Sequence, residues 1–178
     1  QTLLDHCRRH GIWIVADDAY ERLYFEGAGV AAAAPSFLDL AEPDDRIVST
    51  NTFSKTWLMT GWRLGWIVAP RETVASFWSY HDYTTIAPGA LSDRLARVAM
   101  APARRAALLE RTRGILRANL PALEDWLKAR GFQWLRPEAG AICYVRYPHP
   151  INSIELVTRL REEKGVLVVP GDHFGMDH

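Results

Sequence analysis

Short apolar runs separated by polar loops set the pattern of the first part of the chain. Ile12-Trp13-Ile14-Val15-Ala16 is entered through Gly11 and left through Asp17-Asp18, Arg46-Ile47-Val48-Ser49-Thr50 repeats the form, and Gly65-Trp66-Ile67-Val68-Ala69 is ended by Pro70. Continuous apolar runs of this length read as strands buried on both faces, the first of them parallel. Ahead of them, Gln1 to Arg9 places Leu3, Leu4 and Cys7 on one side at helical spacing. The stretch 26–45, with its glycines, alanine run and prolines, reads as a connector.

The pattern changes in the second part. From Ala103 to Arg130 the leucines 109, 116, 123 and 127 fall on one helical stripe with arginines over the rest, and Pro121 is a candidate bend. Strands are then expected at Phe132–Leu135 and Ala141–Val145, a helix at about Ser153–Lys164, and a last strand at Val166–Val169. A long helix leading a β-β-α-β series marks a separate α+β unit, so the division is expected as 1–102 and 103–178.

Composition narrows the functional classes. An apolar fraction of 48% is enough for a real core. Twenty-one basic residues balance twenty-one acidic ones, so no net field recommends nucleic acid or an anionic membrane as partner. No apolar run approaches the ~20 residues that span a bilayer. Cys7 and Cys143 belong to no Cys-x-x-Cys pattern and are expected as buried core thiols, which fits a reducing, cytoplasmic compartment. Gln1 to Arg9 already reads as the interior of an amphipathic helix, and Asp177-His178 follow a strand and a Pro-Gly turn with no closing element. The chain is therefore expected to be part of a longer protein.

Chemistry concentrates in Asn51-Thr52-Phe53-Ser54-Lys55 and its continuation to Arg63. A lysine of lowered pKa can form a Schiff base, and an arginine can grip a phosphate with a bidentate fork. One loop thus suits a ligand with both an aldehyde and a phosphate. Asp17 and Tyr20 follow the first strand, and in open α/β sheets the crevice beyond the carboxyl ends of the strands is where ligands bind. Asp17, held away from bulk water, could keep a pyridine nitrogen protonated, and Tyr20 could donate to a ring oxygen. On this segment alone, a helix N-cap with a packing tyrosine fits as well.

Other constellations carry less. Asp17, Asp18 and Glu21 could bind magnesium, but the next acidic pair, Asp44-Asp45, falls between prolines in what reads as a solvated loop. Ser54-Lys55 could form a hydrolytic dyad, yet neither an oxyanion hole nor a strained nucleophile turn is legible. His6 and His10 share a helix face without a third ligand, so they read as an exposed polar face. No metal is expected. The tryptophans read as core packing.

With Asp17-Asp18-Ala19-Tyr20-Glu21-Arg22-Leu23, Ser54-Lys55 and Thr60-Gly61-Trp62-Arg63-Leu64-Gly65 in view, the chain resembles the class I/II aminotransferases, the fold-type I pyridoxal phosphate enzymes. Pro137-Glu138-Ala139-Gly140-Ala141 and Gly165 to Gly171 with Phe174-Gly175 are also similar to that family. The resemblance implies an α/β fold: the C-terminal half of the large domain, a mostly parallel sheet with helices on both faces, followed by a smaller α+β domain. It implies pyridoxal 5'-phosphate as cofactor, amino acid and 2-oxo acid substrates, and a homodimer. Lys55 would be the Schiff-base lysine and proton carrier, Asp17 the partner of the pyridinium nitrogen, and Tyr20 the partner of the phenolic oxygen. Ala19 would pack near the ring, and Thr52, Ser54 and Arg63 would hold the phosphate.

Asp18 stands where the family usually has glutamate, and Thr52 where it often has serine. The family's cofactor-stacking aromatic and phosphate turn come before Gln1, and its carboxylate-binding arginine after His178, so the isolated chain is expected to be inactive. Transamination leads; β-elimination, substitution or cyclisation on the same cofactor, or a catalytically incompetent fragment, are the alternatives.

Overall fold

The computed structural model describes residues 1–25 and 33–176; the expected connector falls partly outside them. Helix α1 (Thr2–His10) buries Leu4 and Cys7 and stops at Gly11. Gly11 takes a left-handed φ of 63°, and the Ile12 N–H closes back on the Cys7 carbonyl at 3.0 Å, a common helix ending. The chain then enters β1 (Ile14–Asp17), while β2 (Ile47–Thr52) and β3 (Gly65–Val68) complete a sheet of order β1-β2-β3. β1 and β2 are parallel, with Ile14 opposite Ile47 and Asp17 opposite Thr50; β3 runs antiparallel to β2, with Thr52 opposite Gly65. Leu4, Cys7, Ile14 and Ile47 form one small core.

Among the described strands, only β2 begins buried on both faces. β1 alternates, with Val15 72% exposed, and β3 is exposed along its length. Apolar runs predict strands that could be covered twice, and among the described residues only one face of β1 is covered.

Two helices that the sequence pattern did not single out follow β3: α2 (Arg71–His81), entered through Pro70, and α3 (Ala90–Met100). α3 buries Ala96 and Ala99, and these small residues leave room for large ones, with Phe53, Trp57, Met59 and Leu109 completing the second core. The long helix is α4 (Pro102–Ala129), and it continues through Pro121. Its buried positions include Leu109, Leu120 and Leu127, but also Thr112 and a fully enclosed Arg113.

Two compact units are distinguished. One comprises Gln1–Arg117 with Glu138–Ala141, the other Ala118–Pro137 with Ile142–His178. The change falls inside α4, whereas the sequence pattern placed it at 102/103; the first half of α4 supplies Leu109 to the core shared with Phe53, Trp57 and Met59. The short 138–141 stretch joins the first unit through a bridge between Tyr24 and Ala139 and through the Gly140 N–H, which donates to the Leu23 carbonyl at 2.7 Å.

The second unit contains β4 (Gln133–Trp134) paired antiparallel with β5 (Val145–Arg146), and α5 (Ser153–Lys164). α5 is capped by the Asn152 side chain, which accepts from the Ile154 N–H at 2.9 Å. Val166–Val169 is not a strand. All four residues are exposed, and an apolar run becomes a strand only with a neighbouring ladder to bond.

Other expectations are also corrected. Cys143 is exposed, whereas Cys7 is buried, and both are free thiols. Trp57 is the tryptophan in the core, while Trp13, Trp62, Trp66, Trp78 and Trp126 are exposed. Asp45 is buried rather than solvated, gripped by Arg8 through Nε and Nη2 at 2.7 and 2.6 Å. His6 and His10 are exposed as expected, their ring centroids 4.5 Å apart. None of the described helices is long and apolar enough to cross a membrane.

Candidate active site

The parallel pairing of β1 and β2 brings their carboxyl ends side by side, and the Asp18 N–H donates to the Thr50 carbonyl at 2.9 Å. The turn after β1 therefore lies next to the loop after β2. That turn is tight: the Glu21 N–H reaches the Asp18 carbonyl and the Leu23 N–H the Tyr20 carbonyl, each at 3.0 Å. Ala19 and Leu23 are buried beneath it.

The loop after β2 is pinned at both ends. The Phe53 N–H donates to the Leu64 carbonyl and the Met59 N–H to the Phe53 carbonyl, both at 3.0 Å. Phe53, Trp57 and Met59 point into the core, whereas Lys55 is exposed. Its Nζ stands 5.9 Å from the centroid of the Tyr20 ring, within the reach of a cation–π contact. Thr52 and Ser54 form a hydroxyl pair 3.0 Å apart, and the Thr52 Oγ1 also accepts from the Ser54 N–H at 3.0 Å. Arg63 closes the loop in a left-handed conformation, φ 50° and ψ 50°. Its Nη1 donates to the Thr60 carbonyl at 2.8 Å, using one of the five N–H groups of a guanidinium.

The two acids after β1 separate. Asp17 is exposed rather than held away from water, because it lies on the same uncovered side of β1 as Val15; its Oδ1 accepts from the Ala19 N–H at 3.2 Å. Asp18 turns to the opposite face, where Ser49 Oγ donates to its carboxylate at 2.5 Å and Ser36 Oγ at 3.4 Å. A cavity of about 600 Å³ opens on that face, lined among others by Ser36, Ser49, Asn51 and Trp66; Lys55, Asp17, Tyr20 and Arg63 do not line it.

Sequence reasoning missed the buried hydroxyls and the buried cation that brace the two loops. Thr56 Oγ1 donates to the Ala19 carbonyl at 3.3 Å, Thr112 Oγ1 to the Thr56 carbonyl at 3.2 Å, and Arg113 Nε to the Arg22 carbonyl at 2.8 Å. Burial lowers the Arg113 pKa from its ordinary value. The available signal was polar residues at helical spacing with the leucines of α4.

The family model for aminotransferase class I and II matches residues 1–178. The chain belongs to the class I and II aminotransferases. An LL-diaminopimelate aminotransferase of Nitratidesulfovibrio vulgaris is 29% identical over 175 residues, covering 98% of this chain and 44% of the relative. Capreomycidine synthase of Streptomyces vinaceus is 33% identical over 141 residues, 76% of this chain and 36% of that enzyme. A crystal structure of a PLP-dependent aminotransferase from Streptococcus suis superposes with a TM-score of 0.85 at 29% identity, covering 98% of this chain and 44% of that one. The chain spans less than half the length of these relatives, and its fold is the corresponding part of theirs.

The residues present fit the pyridoxal phosphate of these aminotransferases. An accessible amine faces an aromatic ring, a bonded hydroxyl pair shares its loop with an arginine that has donors to spare, and an acid ends the neighbouring strand.

Proposed function

We propose that the protein is a pyridoxal phosphate-dependent aminotransferase that moves an amino group between an amino acid and a 2-oxo acid, with Lys55 as the lysine that holds the cofactor aldehyde. The observation that carries this is Lys55 over the Tyr20 ring beyond the carboxyl ends of two parallel strands, on the same loop as the Thr52–Ser54 hydroxyl pair and Arg63.

The bound cofactor supplies an electron sink for charge developing at the substrate α-carbon. Lys55, exposed and directed at the Tyr20 ring, would carry the proton to and from that carbon on its Nζ. Thr52, Ser54 and Arg63 bind the phosphate as hydroxyl donors and a fixed cation. With the cofactor bound, Asp17 at the end of β1 would pair with the ring nitrogen, Tyr20 would donate to the ring oxygen, and Ala19 would pack beside the ring.

A homodimer in the cytoplasm completes the proposal. The balanced charge supports small-molecule substrates over nucleic acid or membrane, and two free thiols are compatible with a reducing compartment. In the full-length protein, Lys55→Ala is expected to abolish the visible absorbance acquired with pyridoxal phosphate. Borohydride reduction of the wild type should leave the label on the peptide containing Lys55; a label on another lysine refutes the assignment. The 33% identity to a synthase favours a second reading in which the same site serves elimination, substitution or cyclisation. Product analysis with amino acid and 2-oxo acid pairs separates the two.

A further inference from the structure

Lys55 stands between two buried hydroxyl residues, Ser54 and Thr56, while its own side chain is exposed. Thr56 is the more enclosed, at 1% exposure. Its Oγ1 donates to the Ala19 carbonyl at 3.3 Å, and its own carbonyl accepts from Thr112 Oγ1 at 3.2 Å. The Thr112 proton has a second acceptor, the Leu108 carbonyl one helical turn back at 3.0 Å, so Thr112 is the softer of the two links.

Each link joins different parts of the chain. Thr112 lies on α4, Thr56 on the loop after β2, and Ala19 in the turn after β1, between Asp17 and Tyr20. The Thr56 bond thus fixes the strand-end loop that carries Lys55 against the turn that carries Tyr20. A buried hydroxyl left unmatched costs stability, and a purely apolar residue of the same shape would fill this place in the core. The hydroxyl holds position where valine would only fill volume.

We propose that Thr56 is a positioning residue for Lys55, and that Thr112 supports it through the Thr56 carbonyl. The inference rests on the role of Lys55 proposed above. It is sensitive because a displacement of about 1 Å at a reacting group slows chemistry on the order of a hundredfold.

The test uses the full-length protein freed of cofactor, with the capture of added pyridoxal phosphate followed by visible absorbance and the label mapped after borohydride reduction. Hydrogen exchange over residues 53–59 is measured alongside. Thr56→Val should slow capture on the order of tenfold and speed exchange in that segment, while Thr56→Ser should stay within about twofold of wild type. Thr112→Val should slow capture about threefold.

Capture by Thr56→Val at the wild-type rate overturns the proposal, as does a Thr56→Ser variant as slow as Thr56→Val, since the hydroxyl would then not be the operative group. If Thr56→Val does not fold, Thr112→Val decides, because an unchanged rate there overturns the relay. A wild-type label absent from Lys55 is a different failure, which removes the assignment of Lys55 itself.

Discussion

Gly65→Ala tests how closely the loop proposed to hold the cofactor depends on the β2–β3 pairing. A Cβ at Gly65 would stand 2.5 Å from the backbone oxygen of Asn51, and 3.5 Å from the Thr52 Cα. Carbon and oxygen do not approach that closely, and the obstacle is main chain, so one strand must retreat from the other by at least about 0.5 Å. Two bonds that shape the site end on the residue just before it: the Phe53 N–H and the Thr52 Oγ1 reach the Leu64 carbonyl at 3.0 and 3.3 Å. A retreat of that size takes both to or past the limit of a hydrogen bond. At about 1 kcal/mol for each lost bond, the cost is about 2 kcal/mol. Expressed wholly in cofactor binding, that is a rise of about thirtyfold in Kd. Titration of the full-length apoenzyme with pyridoxal phosphate, read by visible absorbance, measures it. Gly61→Ala is the control, since a Cβ there meets nothing within 4 Å. Unchanged affinity in Gly65→Ala, or an equal loss in both variants, would refute the reasoning.

Two further predictions concern stability. Hydrogen bonding to Arg8, with a second bond from the Glu42 N–H, holds the Asp45 carboxyl down from 3.8 to about 2. Because the folded value lies below the unfolded one, its contribution is complete above about pH 4 and is lost as pH falls to about 2. The stability margin of wild type over Asp45→Asn, from urea midpoints, should therefore be flat above that window and shrink within it; a margin that grows on acidification contradicts the pairing. Leu109, 1% exposed, fills the core under the Lys55 loop, and Leu109→Ala should cost about 3 kcal/mol in urea unfolding. A loss below about 1 kcal/mol would show that this core is not closely packed.

What could be read from the sequence followed a physical rule. The helix α1 and the strand β2 were legible because helical spacing and an unbroken buried run each specify one structure. Val166–Val169 reads the same way by composition, yet it forms no strand, because a ladder partner is a property of the fold rather than of four residues. α2 was open to discovery, since Val74, Phe77 and Trp78 recur at helical spacing; α3 was harder, because its buried face is alanine. In the proposed site, residues adjacent in sequence stood out as candidates readily, as with Thr52, Ser54 and Lys55. Thr112 and Arg113 were not, because their partners lie far away along the chain and a polar residue on a leucine stripe looks like the solvated side of a helix.

Arg63 places stability and chemistry in opposition at one codon. Its left-handed backbone is one that glycine adopts freely and other residues only at a cost of roughly 1–2 kcal/mol, while the proposed phosphate contact needs the guanidinium. Selection for heat survival alone would enrich glycine at 63 and discard the anion clamp, whereas selection for cofactor retention would restore arginine and accept a less stable fold. Directed evolution of this protein would therefore have to score both traits together.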